Sequence, residues 1–540
     1  MNLRVLGLSI AGVLCIAGLT LSAANDTRVA DAAMKGDREA VRSLLKQGVD
    51  ANASQGDGMT ALHWATYKDD LQMAQMLLYA GAKTGAGLRL NAMTPLFFAS
   101  QNGSPRMVDL LLKSGADVNA SIRTGATPLM FAARSGNSEV VKLMLDKGAD
   151  PNARETGRGE TALMFAAASN RPEVIKVLMA HGAKPTLSTK VIDIAGRNAA
   201  ARGTRGAAPQ ATVTPAPQAQ AAQPGQQPLR GARGGGGGGG SGADERTPAV
   251  ETMGGMTPLL FAARQGHFAA VKALLDGGAD INGVNAGDKT SPLLIASING
   301  HFDLAKWLLE NGASPTLAST GGATPLYAVL NVKWAFVAEY PQPETRNEKT
   351  PYLELMKMML DRGADPNVRI KVDLWYSAYS SSRTQIDAGG ATPFWRAAQA
   401  SDVAAMRLLF ERGANPTLRS TNGQSPLHIA AGAGVHGNQE VTVYGTWMPG
   451  VKYLVDDLRI DVNERDGRGL TALHHAAGRG DNEMILYLVS RGGDVTVIGR
   501  SGETVADIAN GPRQRIQPFA ETVALLEILG SKNSHKCVSC

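Results

Sequence analysis

At 540 residues the chain is too long for one compact core, and a 44% hydrophobic content excludes a wholly disordered polymer. Aromatic residues make up only 5%, so the core must be built from Ala, Leu, Val and Met, which suits thin helices stacked closely. The net charge of +6 is uneven: residues 199–250 hold five Arg against Asp244 and Glu245, half of the excess, which argues against a basic folded face and against nucleic acid as the partner.

The first element reads as an export signal over residues 1–24. Arg4 precedes an almost uninterrupted apolar run over residues 5–21, and Ser22-Ala23-Ala24 places small residues where a signal peptidase needs them, predicting Asn25 as the mature start. A secreted or periplasmic location follows. The alternative is an uncleaved anchor, since the run approaches spanning length, and only then would the chain meet a membrane. Cys15 lacks the small residues that precede a lipidated cysteine. Without the signal only Cys537 and Cys540 remain, which suits an oxidising compartment.

Two signatures then recur along the chain. Thr127-Pro128-Leu129-Met130-Phe131-Ala132-Ala133 returns from Thr94 and Thr257, with relatives starting at Thr60, Thr161, Ser291, Thr324, Thr392, Ser425, Thr471 and Thr504. The steps from Thr60 are 34, 33 and 34 residues. The second signature is Leu145-Asp146-Lys147-Gly148-Ala149-Asp150-Pro151-Asn152, repeated from Leu275 and Leu360. Each part has a physical reason. Thr or Ser accepts from an unpaired N–H at a helix start, and Pro follows where no N–H is needed. Gly136, Gly266, Gly300 and Gly480 stand where that helix must stop, and Gly148 stands at the end of a second helix carrying Val140, Val141, Leu143, Met144 and Leu145.

The pattern resembles the ankyrin repeat. The resemblance covers roughly residues 28–530 apart from insertions, and it implies an all-α fold of helix pairs with β-hairpin fingers: an ankyrin-repeat solenoid of about 11–12 repeats in two stacks, with a concave groove. Residues 28–52 lack the Thr-Pro start, as an N-terminal cap should, and Thr504 opens a degenerate final repeat, the C-terminal cap. The first stack is expected over residues 25–198, closed by an aborted repeat at Thr189, whose sequence resembles that degenerate cap. Residues 199–250, rich in Pro, Gln, Ala and Gly with seven consecutive Gly at 234–240, read as a disordered linker. The second stack occupies residues 251–530, interrupted by inserts at 334–350, 368–390 and 435–450, before a tail over 531–540.

The inserts gather aromatics beside an otherwise aromatic-poor frame. Trp334, Tyr340, Trp375, Tyr376, Tyr379, Tyr444 and Trp447 are the candidate partner-binding residues, because rigid rings on loops give much contact area for little frozen freedom. The same loops could instead fold back on themselves. Catalytic and metal-binding residues are not expected. The resemblance implies that His63, His428 and His474 bond locally at helix starts, and the poly-Gly run lacks the Lys and Ser/Thr of a phosphate loop.

The leading function is a non-catalytic scaffold that binds another protein outside the cytoplasm, through the groove around the repeats starting at Thr324, Thr392 and Ser425. The rival rests on Cys537-Val538-Ser539-Cys540, two thiols spaced as in c-type haem attachment, in which a His follows the second Cys. No cofactor is expected in the repeats. Covalent haem c would require the chain to continue past Cys540, making these repeats the recognition module of a redox protein; a disulfide or zinc is the other use of the pair.

Overall fold

The computed structural model describes residues 26–194, 252–334, 345, 347–371, 389–433, 446–511 and 518–534. These fall into two compact units divided between Lys184 and Pro185.

The first unit is five helix pairs: α1 (Arg28–Lys35) with α2 (Arg38–Lys46), α3 (Ala61–Tyr67) with α4 (Leu71–Tyr79), α5 (Pro95–Asn102) with α6 (Pro105–Lys113), α7 (Pro128–Ser135) with α8 (Ser138–Asp146), and α9 (Ala162–Ala168) with α10 (Pro172–Ala180). The first helix of each pair packs on the first helix of the next, α1 on α3 through to α9, and the second helices form a parallel row from α2 to α10.

The second unit opens with β1 (Val191–Asp193) and β2 (Thr252–Gly254). Seven pairs follow: α11 (Pro258–Arg264) with α12 (Phe268–Asp276), α13 (Pro292–Ile298) with α14 (Phe302–Glu310), α15 (Pro325–Lys333) with α16 (Tyr352–Asp361), α17 (Pro393–Gln399) with α18 (Val403–Glu411), α19 (Pro426–Ala430) with α20 (Met448–Lys452), α21 (Ala472–Ala477) with α22 (Asn482–Ser490), and α23 (Val505–Asn510) with α24 (Ala520–Ile528). A π-helical turn, Tyr453–Asp457, extends α20.

The capping logic of the repeat is visible at most starts of the second unit and at Thr60, whereas the Thr94, Thr127 and Thr161 hydroxyls make no cap bond. Thr257 Oγ1 accepts from the Leu260 N–H at 3.4 Å and Ser291 Oγ from that of Leu294 at 3.2 Å, with Pro at the first helical position of both helices. Gly136 closes α7 at φ +97°, and Gly148 follows α8 at φ +85°, a left-handed conformation that side chains resist. α8 buries Val140, Val141, Met144 and Leu145. The signature Asn ties neighbouring repeats together. Asn152 Nδ2 donates to the Gly182 carbonyl at 2.9 Å, and its Oδ1 accepts from the Lys184 N–H at 2.9 Å. Asn52, Asn119, Asn282, Asn367 and Asn463 make the same pair of bonds to the turn of the following repeat.

The fingers correct one expectation. In a regular finger a backbone N–H bonds the carbonyl just before the capping residue, as Gln55 does to Met59 and Ile122 to Ala126. Thr189 makes this bond to Met256, at 3.0 Å, and β1 and β2 pair antiparallel just beyond it. Thr189 therefore starts no aborted repeat; it opens the finger that leads into Thr257. β1 and β2 both belong to the second unit, and residues 195–251, within which the expected disordered linker over 199–250 falls, lie outside the described residues. The Thr392 repeat uses the same device, with Ile370 bonding Ala391 at 3.0 Å, while residues 372–388 of the insert expected at 368–390 lie outside the described residues.

Candidate functional site

Insert 334–350 begins and ends on a partly buried polar framework. Trp334 closes α15, where insert 334–350 departs, and Tyr352 opens α16, where the chain returns. Trp334 Nε1 and the Tyr352 hydroxyl both donate to Asp402 Oδ2, at 2.8 and 2.7 Å, and the two rings meet edge to face at 6.0 Å. Lys333 Nζ lies 5.5 Å from each ring. Asp402 is buried and caps α18 through its other oxygen, which accepts from the Ala405 N–H at 3.0 Å. One carboxylate thus pins both ends of the insert and the next repeat. Upstream, Asp303 Oδ1 accepts from the Thr350 N–H at 2.8 Å and the Thr350 hydroxyl at 2.6 Å, fixing the returning segment to α14.

Arg396, on α17, is buried beside this cluster. Its Nε donates to Asn331 Oδ1 at 3.1 Å and its Nη2 to the Trp334 carbonyl. Burial pulls its pKa below the ordinary guanidinium value, with Tyr327 and Asp402 opposing the shift. Trp447 anchors the return of the third insert in the same manner. Its ring is 7% exposed, its Nε1 donates to the Gln399 carbonyl at 3.2 Å, and the Arg479 guanidinium stacks 3.5 Å from the ring centroid. Ser401 Oγ donates to the Trp447 carbonyl and accepts from the Gly450 N–H at 2.8 Å.

Of the residues singled out for partner binding, Trp447 is buried and Trp334 half-buried, each with its indole N–H bonded within the frame. That use follows from the indole N–H, which needs an acceptor when the ring is buried. Tyr340, Trp375, Tyr376, Tyr379 and Tyr444 lie outside the described residues, as do the thiols Cys537 and Cys540 and the leader over residues 1–24.

The histidines at helix starts serve the frame. His63 Nδ1 accepts from the Thr60 N–H at 3.2 Å, and its Nε2 faces the Met93 carbonyl at 3.1 Å, so the ring proton is assigned to Nε2. His428 and His474 repeat the box with Ser425 and Thr471. Ser425, His428 and Glu464 do lie together, with Ser425 Oγ 2.7 Å from His428 Nδ1 and donating to Glu464 Oε1. Ser425 is 1% exposed, however, so no substrate reaches its oxygen. Burial, with His475 and Arg419 beside it, drives the His428 pKa to about 3 against the opposing pull of Asp466. Burial also raises the carboxyl of Glu464. Asp466 is held ionised by N–H donors from Arg468 and Leu470 at 2.8 and 2.9 Å and by His475 Nε2 at 3.2 Å. Among the described residues no group of three or more His, Cys, Asp or Glu is arranged to hold a metal ion.

One register position distinguishes the two units. Four residues after each capping Thr or Ser stand Trp64, Phe98, Phe131 and Phe165 in the first unit, all half-buried. In the second unit Phe261 keeps a half-buried ring, the position is then buried at Ile295, Ala328, Arg396, Ile429 and His475, and it is half-buried again at Ile508. The signal in the sequence is a fixed offset rather than a motif, so motif reading passes over it.

Helix pairs, fingers and cross-repeat Asn bonds of this kind define an ankyrin-repeat protein, and the chain belongs to that family: a model described as Ankyrin repeats (3 copies) matches residues 29–122, 119–189, 240–319 and 394–499. Among curated proteins it is similar to Alpha-latrotoxin-Lh1a of Latrodectus hasselti, 31% identical over 123 residues, or 23% of this chain and 8% of that protein. It is also similar to Transient receptor potential cation channel subfamily A member 1 of Homo sapiens, 34% identical over 109 residues, or 20% of this chain and 9% of that protein. The chain thus spans less than a tenth of the length of these relatives.

Proposed function

We propose that this chain is a non-catalytic scaffold that binds another protein outside the cytoplasm, along the face its repeats present between first helices and fingers. The observation that carries the reading is where the signature polar groups go: the capping Thr and Ser, the helix-start His and the turn Asn are largely spent on the frame itself. Such a frame leaves side chains between the signatures to vary, which is what recognition of a protein surface needs. No helix among the described residues is long and apolar enough to cross a membrane.

Export rests on the apolar run over residues 5–21 and the small residues before Asn25. The test is expression of the full chain in a bacterial host, with fractionation and N-terminal sequencing, followed by crosslinking in the compartment where the protein is found. A mature N-terminus at Asn25 and a specific crosslinked protein support the reading. A cytoplasmic chain that retains Met1, or one that crosslinks to nothing, overturns it.

A further inference from the structure

The first unit carries an apolar row, exposed at Met34 and Tyr67 and half-buried at its other members, on the face its first helices turn toward the fingers. Met34 on α1 and Tyr67 on α3 are 39% and 57% exposed, and Trp64, Phe98, Phe131 and Phe165 continue the row on successive helices. The rings are ordered among themselves: Trp64 meets Tyr67 at 5.9 Å, and Tyr67 meets Phe98 at 6.0 Å, both edge to face. The finger lies alongside, because Gln55 Oε1 accepts from Trp64 Nε1 at 2.9 Å. No described element of the unit covers this row. Its counterpart in the second unit is closed by burial from Ile295 to His475, so a continuous row is a property of these repeats and not of the frame.

Its border is cationic. Arg89 and Arg123 stand exposed on adjacent fingers, with Arg123 Nη2 donating to the Arg89 carbonyl at 2.8 Å. Arg134 lies 5.5 Å from the centroid of Phe131, and Lys68 is exposed at the end of α3. No carboxylate pairs with any of these four cations among the described residues. Nearby carboxylates keep their charge but are turned to the frame and reach none of these cations: Asp31 accepts from Gln55 and Thr27, Asp57 from the Met59 N–H, and Glu155 from three N–H groups of its own finger. An apolar row bordered by unpaired cations complements a ligand with apolar side chains and negative charge.

Spacing narrows the ligand further. Neighbouring helices pack about 8–10 Å apart. A polyproline II chain advances about 3.1 Å per residue with three residues per turn, so every third side chain recurs on one face after about 9 Å. We propose that the aromatic row of the first unit binds an extended acidic protein segment that places an apolar side chain at about every third residue, each packing on the outward side of one repeat's part of the row while its carboxylates meet Arg89, Arg123, Arg134 and Lys68. This deepens the reading of the chain as a protein-binding scaffold and rests on it.

The experiment uses the full chain and three fluorescein-labelled peptides, built from Leu-Pro-Glu, Leu-Pro-Lys and Ser-Pro-Glu repeats, in anisotropy titrations. The Leu-Pro-Glu peptide should bind, with an affinity that falls as salt rises. Reversing two exposed cations in the double variant Arg123→Glu and Arg134→Glu should weaken it at least about tenfold, and Tyr67→Ser should weaken it several-fold, both with unchanged melting. Absence of binding, equal binding of the lysine peptide, equal binding of the serine peptide, or insensitivity to both variants overturns the proposal. The broader scaffold reading fails separately, when no protein crosslinks to the chain in its own compartment. A crosslinked partner that contacts only the second unit spares that reading and overturns this one.

Discussion

Thr189 and Met256, 67 positions apart, hold each other by two hydrogen bonds: the Thr189 N–H donates to the Met256 carbonyl at 3.0 Å, and the Met256 N–H donates to Thr189 Oγ1 at 2.9 Å. The two bonds join the two sides of one finger, and β1 and β2 continue it to Asp193 opposite Thr252. Replacing residues 194–251 by Asn-Gly, the turn that suits a two-residue hairpin, removes most of the loop-closure cost, which changes by about 0.6 kcal/mol per doubling. The second unit should gain about 2–3 kcal/mol in urea unfolding. A shortened chain that misfolds, or that is less stable than the parent, would show that the stretch is not closed in this way.

Gly148 tests the helix ending. Its φ is +85°, and a Cβ placed there would meet nothing within 4 Å, so Gly148→Val isolates backbone strain from steric clash. The expected loss is about 1–3 kcal/mol, with Gly148→Asn costing less because Asn tolerates the left-handed region. Equal stability of the Val variant and the parent in thermal unfolding contradicts the assignment.

Asn152 couples one repeat to the next through two bonds on an exposed turn. Asn152→Ala should cost about 1–2 kcal/mol, and the first unit should unfold less cooperatively because nearest-neighbour coupling is weakened. A denaturation curve with unaltered midpoint and slope would assign the Asn no such role.

Trp447→Ala should act on folding before it acts on binding. The ring is 7% exposed and clamped by Gln399 and Arg479, so its removal should cost about 3–5 kcal/mol of stability in the second unit. A variant that melts like the parent but loses its crosslinked partner would restore Trp447 to the binding surface.

Acid should destabilise the frame through its buried histidines. Burial lowers the pKa of His63, His428, His474 and His475, to about 3 for His428 and about 4 for His474. The unfolded chain takes up protons below about pH 6.5 that the folded chain does not, so stability is full above that pH and falls toward pH 4. Each such histidine contributes up to about 1.4 kcal/mol per pH unit in this window. Urea midpoints at pH 7.5 and 5.0 should show the drop, and His428→Asn should reduce it. Equal midpoints at the two pH values would mean that these rings are protonated in the folded state.

The sequence by itself determined the repeat, its period and its frame. Thr-Pro starts, helix-ending Gly and the turn Asn act within a few residues of themselves or one repeat away, so local chemistry repeated at fixed spacing is enough to read them. The three-dimensional packing decided what lies outside that period. Nothing near Thr189 points to Met256, because the bond closes across a stretch with no pattern of its own. Trp334 and Tyr352 share Asp402 only because three segments distant in sequence converge on one carboxylate. Composition could mark Trp447 as an unusual aromatic but not its direction, since whether an indole faces solvent or a neighbouring carbonyl depends on which acceptor the next repeat supplies. The apolar row from Met34 to Phe165 was present in the letters only as offsets of four and seven from the caps. Only the stacking of α1, α3, α5, α7 and α9 turned that offset into a surface.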